Sequence, residues 1–163
     1  MKEYFNLNER NDYQLLTNFN NQTHIFDKMR PTKEGSHTDA VASHTSKLGE
    51  KRTFNIELKR RHMDIGTYPN IFIEDYKLAS MMLDYQIFGV EPLYVNFLDN
   101  NVVVIFNLSK LKVYPTLYIK NINSQGKDRT QLQERRYGLS MTDAVIYKDF
   151  KLTKGLCKTT KSS

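Results

Sequence analysis

The sequence predicts a single α/β domain in which helices pack against a sheet. Apolar residues recur at helical spacing over about 12–29 and 75–88, and residues 53–61 alternate between apolar and polar types as a strand does. Apolar segments near 93–98 and 102–108 follow the second helix. A chain of 163 residues fits one domain and can bury about 70% of its unfolded surface, which is enough for a core.

The first predicted helix covers about residues 12–29. Asp12 is a candidate cap at its start, and Pro31 ends it because proline cannot continue a helix. Its apolar positions are Leu15, Leu16, Phe19, Phe26 and Met29. The polar residues before it are expected to form a loose lead-in. After a loop, the small residues at 39–43 predict a short strand that begins with Asp39.

The strongest predicted strand is 53–61. Its apolar residues Phe54, Ile56 and Leu58 alternate with the polar residues Asn55, Glu57 and Lys59. Successive side chains of a strand point to opposite faces, so we expect the polar set to share one face. The second helix, 75–88, is followed by Gly89, where a C-cap glycine belongs. Strands are then predicted at 93–98, 102–108 and 114–122.

The composition restricts the classes of function. The net charge of +6 indicates an anionic partner, such as nucleic acid or a membrane surface. One cysteine excludes an internal disulfide and a thiolate zinc cluster. The first residues contain no apolar run, and no stretch approaches 18 uncharged apolar residues, so we expect neither a signal peptide nor a membrane span. The expected location is the cytoplasm, or the host cytoplasm if a phage encodes the chain.

The predicted core ends near residue 122, and residues 123–163 are predicted to form a basic C-terminal extension. The segment around Asp39 is partly echoed there, because Ser36-x-Thr38-Asp39-Ala40-Val41 resembles Ser140-x-Thr142-Asp143-Ala144-Val145. We interpret the echo as coincidence, since nothing else in the two halves matches. It nevertheless makes Asp143 a rival to Asp39.

Asp39, Glu57 and Lys59 form a candidate site for phosphodiester hydrolysis. Glu57 and Lys59 are two residues apart on a strand and share a face, and Asp39 can approach from a neighbouring strand. Magnesium binds oxygen ligands, typically one or two carboxylates, and lowers the pKa of an attacking water. A nearby cation can stabilise developing charge. The main-chain carbonyl of Leu58 is a candidate third metal ligand.

An acid followed two residues later by lysine is not specific by itself. The sequence contains three such tripeptides: Glu57-Leu58-Lys59, Asp75-Tyr76-Lys77 and Asp149-Phe150-Lys151. The first follows a strong strand pattern and has an aspartate-bearing strand upstream. The second falls at a predicted helix start and the third near the C-terminal end, so the context selects the first.

These residues resemble the PD-(D/E)xK nuclease superfamily, which includes many restriction enzymes, Holliday-junction resolvases and phage nucleases. The matching residues are Asp39 in Thr-Asp-Ala-Val, and Glu57 and Lys59 in Phe-Asn-Ile-Glu-Leu-Lys-Arg-Arg. The resemblance covers about residues 12–108. It implies a restriction-endonuclease-like core, with a central mixed sheet flanked by helices. It also implies that Asp39 and Glu57 hold Mg²⁺ or Mn²⁺, while Lys59 positions the water or stabilises the transition state.

The resemblance has two departures. Asp39 is preceded by Thr38 instead of proline. Many members carry a further acid on the first helix. The predicted helix here offers Gln14, Gln22 and Asp27, with Glu9 before it, and none is a convincing match. A missing acid would put a second metal in doubt.

Several basic residues are predicted to contact nucleic acid, and an ordinary solvated surface is the alternative for each. They are Arg52, Arg60, Arg61, Lys77, Arg135 and Arg136. DNA is the expected nucleic acid. From the shortness of the chain we expect no large recognition domain, and a homodimer or a recruiting protein partner is therefore also expected as an option.

Three functions remain open from the sequence. The preferred one is a metal-dependent nuclease, an endonuclease or exonuclease, that cleaves DNA. The second is a protein of nuclease fold that binds nucleic acid without cutting it, which the missing first-helix acid favours. The third is a structural or assembly protein in which the acids and lysine coincide by chance. Cleavage with Mg²⁺ separates the first two, and the third predicts no salt-sensitive affinity for nucleic acid.

Overall fold

The computed structural model describes residues 2–123 and 131–148, which form α-helices and two sheets. In chain order the elements are α1 (Lys2–Thr23), β1 (Lys28–Pro31), β2 (Ala40–Thr45), β3 (Lys51–Arg60), β4 (Asn70–Glu74), α2 (Asp75–Phe88), β5 (Glu91–Leu98), β6 (Val102–Asn107), β7 (Thr116–Asn123), β8 (Gln131–Ser140) and β9 (Val145–Tyr147). Short 3-10 turns follow β5, β6 and β8. The predicted α/β class is confirmed.

The larger sheet has six strands in the order β1-β2-β3-β5-β6-β9. Strands β3 and β5 are parallel, and the other neighbours are antiparallel, so the predicted mixed sheet is confirmed. A parallel pair needs a long crossover, and β4 with α2 supplies it. The smaller sheet, β4-β8-β7, is antiparallel throughout.

Both faces of the larger sheet are covered by apolar side chains. The face toward α1 contains Leu15, Leu16, Phe19, Phe26, Ala40, Ala42, Phe54, Ile56, Leu58, Leu93, Val95, Phe97, Val103 and Ile105. The other face packs against α2 and the smaller sheet through Ile71, Ile73, Met81, Tyr94, Leu98, Val102, Val104, Phe106, Leu108 and Leu139. Because Ile56 and Leu58 face α1, alternation places Glu57 and Lys59 on the face toward α2 and the smaller sheet.

Helix α1 begins and ends earlier than the predicted first helix. It runs over Lys2–Thr23, so the predicted lead-in is helical and Asp12 lies inside the helix instead of capping it. The predicted extension to Met29 is wrong. His24 has a left-handed φ of 50°, which ends the helix, and Met29 belongs to β1, which pairs with β2. No helix in the described part of the chain is long and apolar enough to cross a membrane.

The smaller sheet contains strands that the sequence pattern did not predict. Strand β4 directly precedes the second helix, in residues to which the sequence pattern assigned no strand. Residues 131–148, predicted as part of a basic extension, supply β8 to the smaller sheet and β9 to the larger one. The rest of the predicted extension, 124–130 and 149–163, lies outside the described residues.

Arg52 lies at the opposite end of β3 from Lys59, roughly 24 Å away at the usual rise of a strand. Its guanidinium donates to both carboxylate oxygens of Glu91, with Nε–Oε1 and Nη2–Oε2 distances of 2.6 and 2.5 Å. Arg52, which was predicted to contact nucleic acid, therefore lies far from Lys59. Arg52 instead ties the start of β3 to the start of β5.

The carboxylate of Glu91 makes this anchor sensitive to pH. Hydrogen bonds from Arg52, Asn107 and Lys110 outweigh the effect of burial and hold the pKa of Glu91 at about 2, below its ordinary 4.5. The ionised form is thus favoured in the folded state, so its stabilisation is present above pH 4.5 and is lost as the pH falls toward 2.

We expect Glu91→Gln to lower the free energy of unfolding by roughly 2 kcal/mol at pH 7. The difference from the parent protein should shrink between pH 5 and pH 2, because the parent loses the same interaction when Glu91 is protonated. Urea denaturation at a series of pH values measures it. Glu50→Gln, at an exposed turn beside β3, is the control and should have no effect; a constant difference at every pH would contradict the prediction.

Candidate active site

Asp39 and Glu57 lie side by side at one end of the larger sheet. The β2–β3 ladder pairs Ala40 with Ile56, and the N–H of Asp39 donates to the carbonyl of Ile56 at 2.9 Å. Asp39 directly precedes Ala40 in the chain, and Glu57 directly follows Ile56, so both lie beside this pair. The negative charge of Asp39 acts to raise the pKa of Glu57, so the two carboxylates are within electrostatic reach of each other. The structure therefore brings these two predicted site residues together.

The main chain of Leu58 contacts the carboxylate of Asp39. Strand β2 begins at Ala40, and just before it Oδ2 of Asp39 accepts a hydrogen bond from the N–H of Leu58 at 2.7 Å. The N–H and C=O of one residue in an antiparallel ladder point to the same neighbour. The carbonyl of Leu58 is therefore directed toward the same edge as the Asp39 carboxylate.

Glu57 is a buried carboxyl group with a tightly held partner. It is 5% exposed, and burial raises its pKa to about 7, with a further contribution from Asp39 that Lys77 partly offsets. The Nζ of Lys77 donates to Oε2 of Glu57 at 2.9 Å and to the carbonyl of His37 at 3.0 Å. A buried carboxylate is costly unless it is paired and hydrogen-bonded, and Lys77 provides that pairing.

Lys77 therefore has a different position from the predicted one. Its side chain is only 18% exposed and points inward to Glu57 from the start of α2. The prediction of a nucleic-acid contact for Lys77 places it at the surface, whereas the structure places its ammonium group between α2, β3 and the loop before β2.

Lys59 shares the site but is bound to an acid that was not predicted. Its Nζ lies 3.2 Å from Oε1 of Glu74, and its charge acts to lower the pKa of Glu57. Burial acts to raise the pKa of Glu74, but a hydrogen bond from its own backbone and the charge of Lys59 lower it below the ordinary value. Glu74 ends β4 directly before α2, so it holds the Lys59 ammonium beside the site.

Asp12 is a further acid near the site, and it approaches from α1. Its Oδ1 lies 3.2 Å from Nη2 of Arg60. Burial raises the pKa of Asp12, Arg60 acts to lower it, and the charge of Asp39 acts to raise it. Asp12 is thus an acid on the first helix within electrostatic reach of Asp39. The sequence pattern did not identify Asp12 as the acid of the first helix, because the helix was predicted to start at that residue.

The guanidinium of Arg61 forms hydrogen bonds within the protein. Its Nε donates to Oδ1 of Asn96 at 2.8 Å, and its Nη2 donates to the Tyr94 hydroxyl at 2.6 Å and to the Phe72 carbonyl. The Tyr94 hydroxyl in turn donates to the same Phe72 carbonyl at 2.9 Å, and burial raises the pKa of Tyr94. These partners lie on β4 and β5, so Arg61 joins the two sheets. The guanidinium of Arg61 already has these partners, and its predicted contact with nucleic acid stays a prediction.

Arg135 and Arg136 are consecutive on β8 and point to opposite faces of the smaller sheet. The Nε of Arg135 lies 3.6 Å from Oδ2 of Asp75, at the start of α2. Arg136 binds both carboxylate oxygens of Glu134, at 2.7 and 2.6 Å. The register pairs Arg136 with Glu74, so Arg136 is the one of the two that lies beside the site.

The site offers hard oxygen ligands for a divalent cation. Among the described residues, no group of three or more His, Cys, Asp or Glu side chains is arranged to hold a metal. Magnesium needs only one or two carboxylates, with water and carbonyl oxygens as its other ligands, and Asp39, Glu57 and the carbonyl of Leu58 fit that set. The rival Asp143 does not: its carboxylate accepts the N–H groups of Lys112 and Val113 at 3.0 and 2.9 Å.

Comparison with known proteins gives one structural similarity to report. No family model and no curated protein matches the chain. Among solved structures, the chain is similar to Hjc, a Holliday junction resolvase from the archaeal hyperthermophile Archaeoglobus fulgidus. The sequence identity is 14% and the TM-score 0.40, over 69% of this chain and 75% of that one.

The pKa of Glu57 provides a direct test of this arrangement. In metal-free protein, Asp39→Asn removes a neighbouring negative charge and should lower the pKa of Glu57 below about 7, whereas Lys77→Met removes its cationic partner and should raise that pKa. NMR titration of side-chain ¹³C-labelled glutamate in EDTA measures both. Lys51→Met, at the far end of β3, should leave the pKa unchanged. Shifts of the same sign in the two site variants would show that the charges are not arranged as described.

Proposed function

We propose that the protein is a metal-dependent nuclease that hydrolyses phosphodiester bonds of DNA. One observation carries the proposal. The carboxylates of Asp39 and Glu57 lie close together beside the β2–β3 pair of the larger sheet, and Lys59 is on the same face of β3 as Glu57. Two carboxylates and a lysine in this arrangement suit the binding of a divalent cation and the stabilisation of a negatively charged transition state. The basic net charge of +6 suits a polyanionic substrate.

Asp39 and Glu57 would hold Mg²⁺ or Mn²⁺ together with the carbonyl of Leu58. Such an ion, when bound, lowers the pKa of a coordinated water and neutralises charge on the phosphate. Asp39 also stays fixed by the N–H of Leu58, so its second oxygen keeps a defined direction. The carboxylate of Glu57 is needed in its ionised form, and the neighbouring Lys77 favours that form in spite of burial.

Lys59 is the residue proposed to act on the scissile phosphate. Its ammonium group lies on a partly exposed side chain and is bound to Glu74 at 3.2 Å, so it has a preferred position while remaining accessible. From there it stabilises negative charge on the phosphate or orients the attacking water. Glu74 is proposed as a positioning residue, because it acts through Lys59.

Asp12 and two arginines complete the proposed site. Asp12 places a third carboxylate on the α1 side, where it can support the cation directly or through water. Arg60 and Arg136 lie at the surface beside the proposed site. Both are proposed to contact phosphates of the substrate.

One observation favours the second function, a nucleic-acid-binding protein that does not cut. The ammonium group of Lys77 already neutralises Glu57, at 2.9 Å, so the carboxylate is satisfied without a metal ion. In that case the site would be a structural ion pair beneath a basic surface. Activity measurements distinguish the two functions.

Linear, circular and branched DNA should be cleaved with Mg²⁺ or Mn²⁺ and left intact in EDTA. Glu57→Gln and Lys59→Met should each reduce the cleavage rate roughly 100-fold or more, the usual effect of removing one charged group from such a site. Glu50→Gln and Lys51→Met, an acid and a lysine at the other end of β3, are matched controls that should cut normally. Cleavage at the parent rate by both site variants would refute the assignment, and equal binding with and without metal but no cleavage would support the second function.

Asp12→Asn should raise the Mg²⁺ concentration needed for half-maximal cleavage about tenfold, because a carboxylate that supports the cation is lost. Cleavage at a series of Mg²⁺ concentrations measures the change, and Asp27→Asn, an acid of the loop between α1 and β1, is the control. Arg60→Gln separates two explanations: if it reproduces the effect, Asp12 acts only by holding Arg60.

A further inference from the structure

The outer face of the smaller sheet carries aromatic and basic side chains next to the candidate active site. The register aligns Glu74, Arg136 and Tyr118 across β4, β8 and β7, so their side chains share one face. Phe72 and Lys120 lie two residues along their strands and share the same face. We call these five residues the small-sheet platform. On the opposite face, Ile71, Ile73 and Leu139 are buried in the core.

The ring of Tyr118 is fixed in place although it is exposed. It packs edge-to-face on Phe72, with ring centroids 5.1 Å apart and an interplanar angle of 87°. Beneath it lies Gly138, where a β carbon would come within 3.0 Å of Cε2 of Tyr118, so the glycine leaves room for the ring to lie across β8. Tyr118 remains 44% exposed. A held aromatic ring with an open surface can stack on a ligand ring at little cost in conformational entropy.

The platform is continuous with the candidate active site. Glu74 is both a member of the platform and the partner of Lys59 at 3.2 Å. Two strand spacings separate Glu74 from Tyr118, which is about 10 Å. That is the length of roughly three stacked nucleotides. A single DNA strand with one phosphate at Lys59 can therefore place a nearby base at Tyr118.

The charges of the platform suit a phosphate backbone. Arg136 lies across from Tyr118 on β8, and the exposed Lys120 lies two residues along β7 from it. Glu134 accepts two hydrogen bonds from the guanidinium of Arg136, which restricts its position. Alternating aromatic and basic side chains on a sheet are a common way to bind single strands, in which the base faces are open to stacking.

We propose that the small-sheet platform binds unpaired nucleotides adjoining the cleavage site, with a base stacked on Tyr118 and phosphates at Arg136 and Lys120. The position of the cleavage site rests on the nuclease function proposed above. The substrate class is then DNA that carries a single-stranded segment, such as a tail, flap or branch. Continuous duplex is a poorer ligand because its bases are already stacked on each other.

Binding in EDTA tests the platform without cleavage. Fluorescence anisotropy is measured with a labelled single-stranded oligonucleotide, a blunt duplex and a duplex with a single-stranded tail. Tyr118→Ala should weaken binding of the single-stranded and tailed DNA about 5- to 100-fold, the range for loss of one stacked base, and that of the blunt duplex less than about twofold. Tyr118→Trp should retain binding. Lys120→Gln should weaken binding of all three and lower the salt dependence by about one ion.

The matched control is Tyr114→Ala, a tyrosine 88% exposed on the segment before β7, which should bind all three DNAs normally. The platform is overturned if Tyr118→Ala weakens binding no more than this control, if blunt duplex suffers equally, or if no oligonucleotide binds. Thermal melting verifies folding, and should Tyr118→Ala unfold, Tyr118→Gln and Lys120→Gln decide. Cleavage with Mg²⁺ is scored separately. A protein that binds as described but never cuts overturns the nuclease proposal alone, and one that cuts while Tyr118→Ala binds normally overturns the platform alone.

Discussion

The buried carboxylate of Glu57 is the constraint on which the rest of the site depends. It lies beside a second carboxylate, Asp39, in a setting that favours its protonated form. Two hydrogen bonds stabilise the pair of carboxylates. The ammonium group of Lys77 donates to Glu57, and the N–H of Leu58 donates to Asp39. These contacts draw α2, β3 and the segment before β2 to one point. A site of this kind stores unfavourable electrostatic energy that a divalent cation would relieve, which is a common property of functional sites.

A second constraint joins the site to the smaller sheet. The guanidinium of Arg61 donates hydrogen bonds to groups on β4 and β5 and so holds the two strands together. Strand β4 also carries Glu74, which holds Lys59. The position of the proposed catalytic lysine therefore depends on the correct placement of a sheet that follows it in the chain.

Sequence periodicity was sufficient for some of these features and insufficient for others. Alternation along β3 was enough to place Glu57 and Lys59 on one face, because the side-chain period of a strand is fixed by geometry. The end of α1 was not predictable in this way. Met29 keeps the helical spacing of apolar residues, but it lies on strand β1 and packs against the core from there. Strand β8 was missed because its outward residues are polar. Arg61 resembled a surface residue in the sequence. Its internal contacts depend on β4, and the sequence pattern did not predict that strand.

The parallel pairing of β3 with β5 has a consequence for the order in which the molecule folds. The β2–β3 hairpin joins neighbouring segments and can form early, whereas β3 meets β5 only after the crossover through β4 and α2 has closed. Pairings between distant segments are the slow steps of folding. We therefore expect the two acids to meet in a nascent hairpin that water still surrounds, where their repulsion is weak. The lysine of α2 arrives with the closing crossover, at the same stage at which water is expelled.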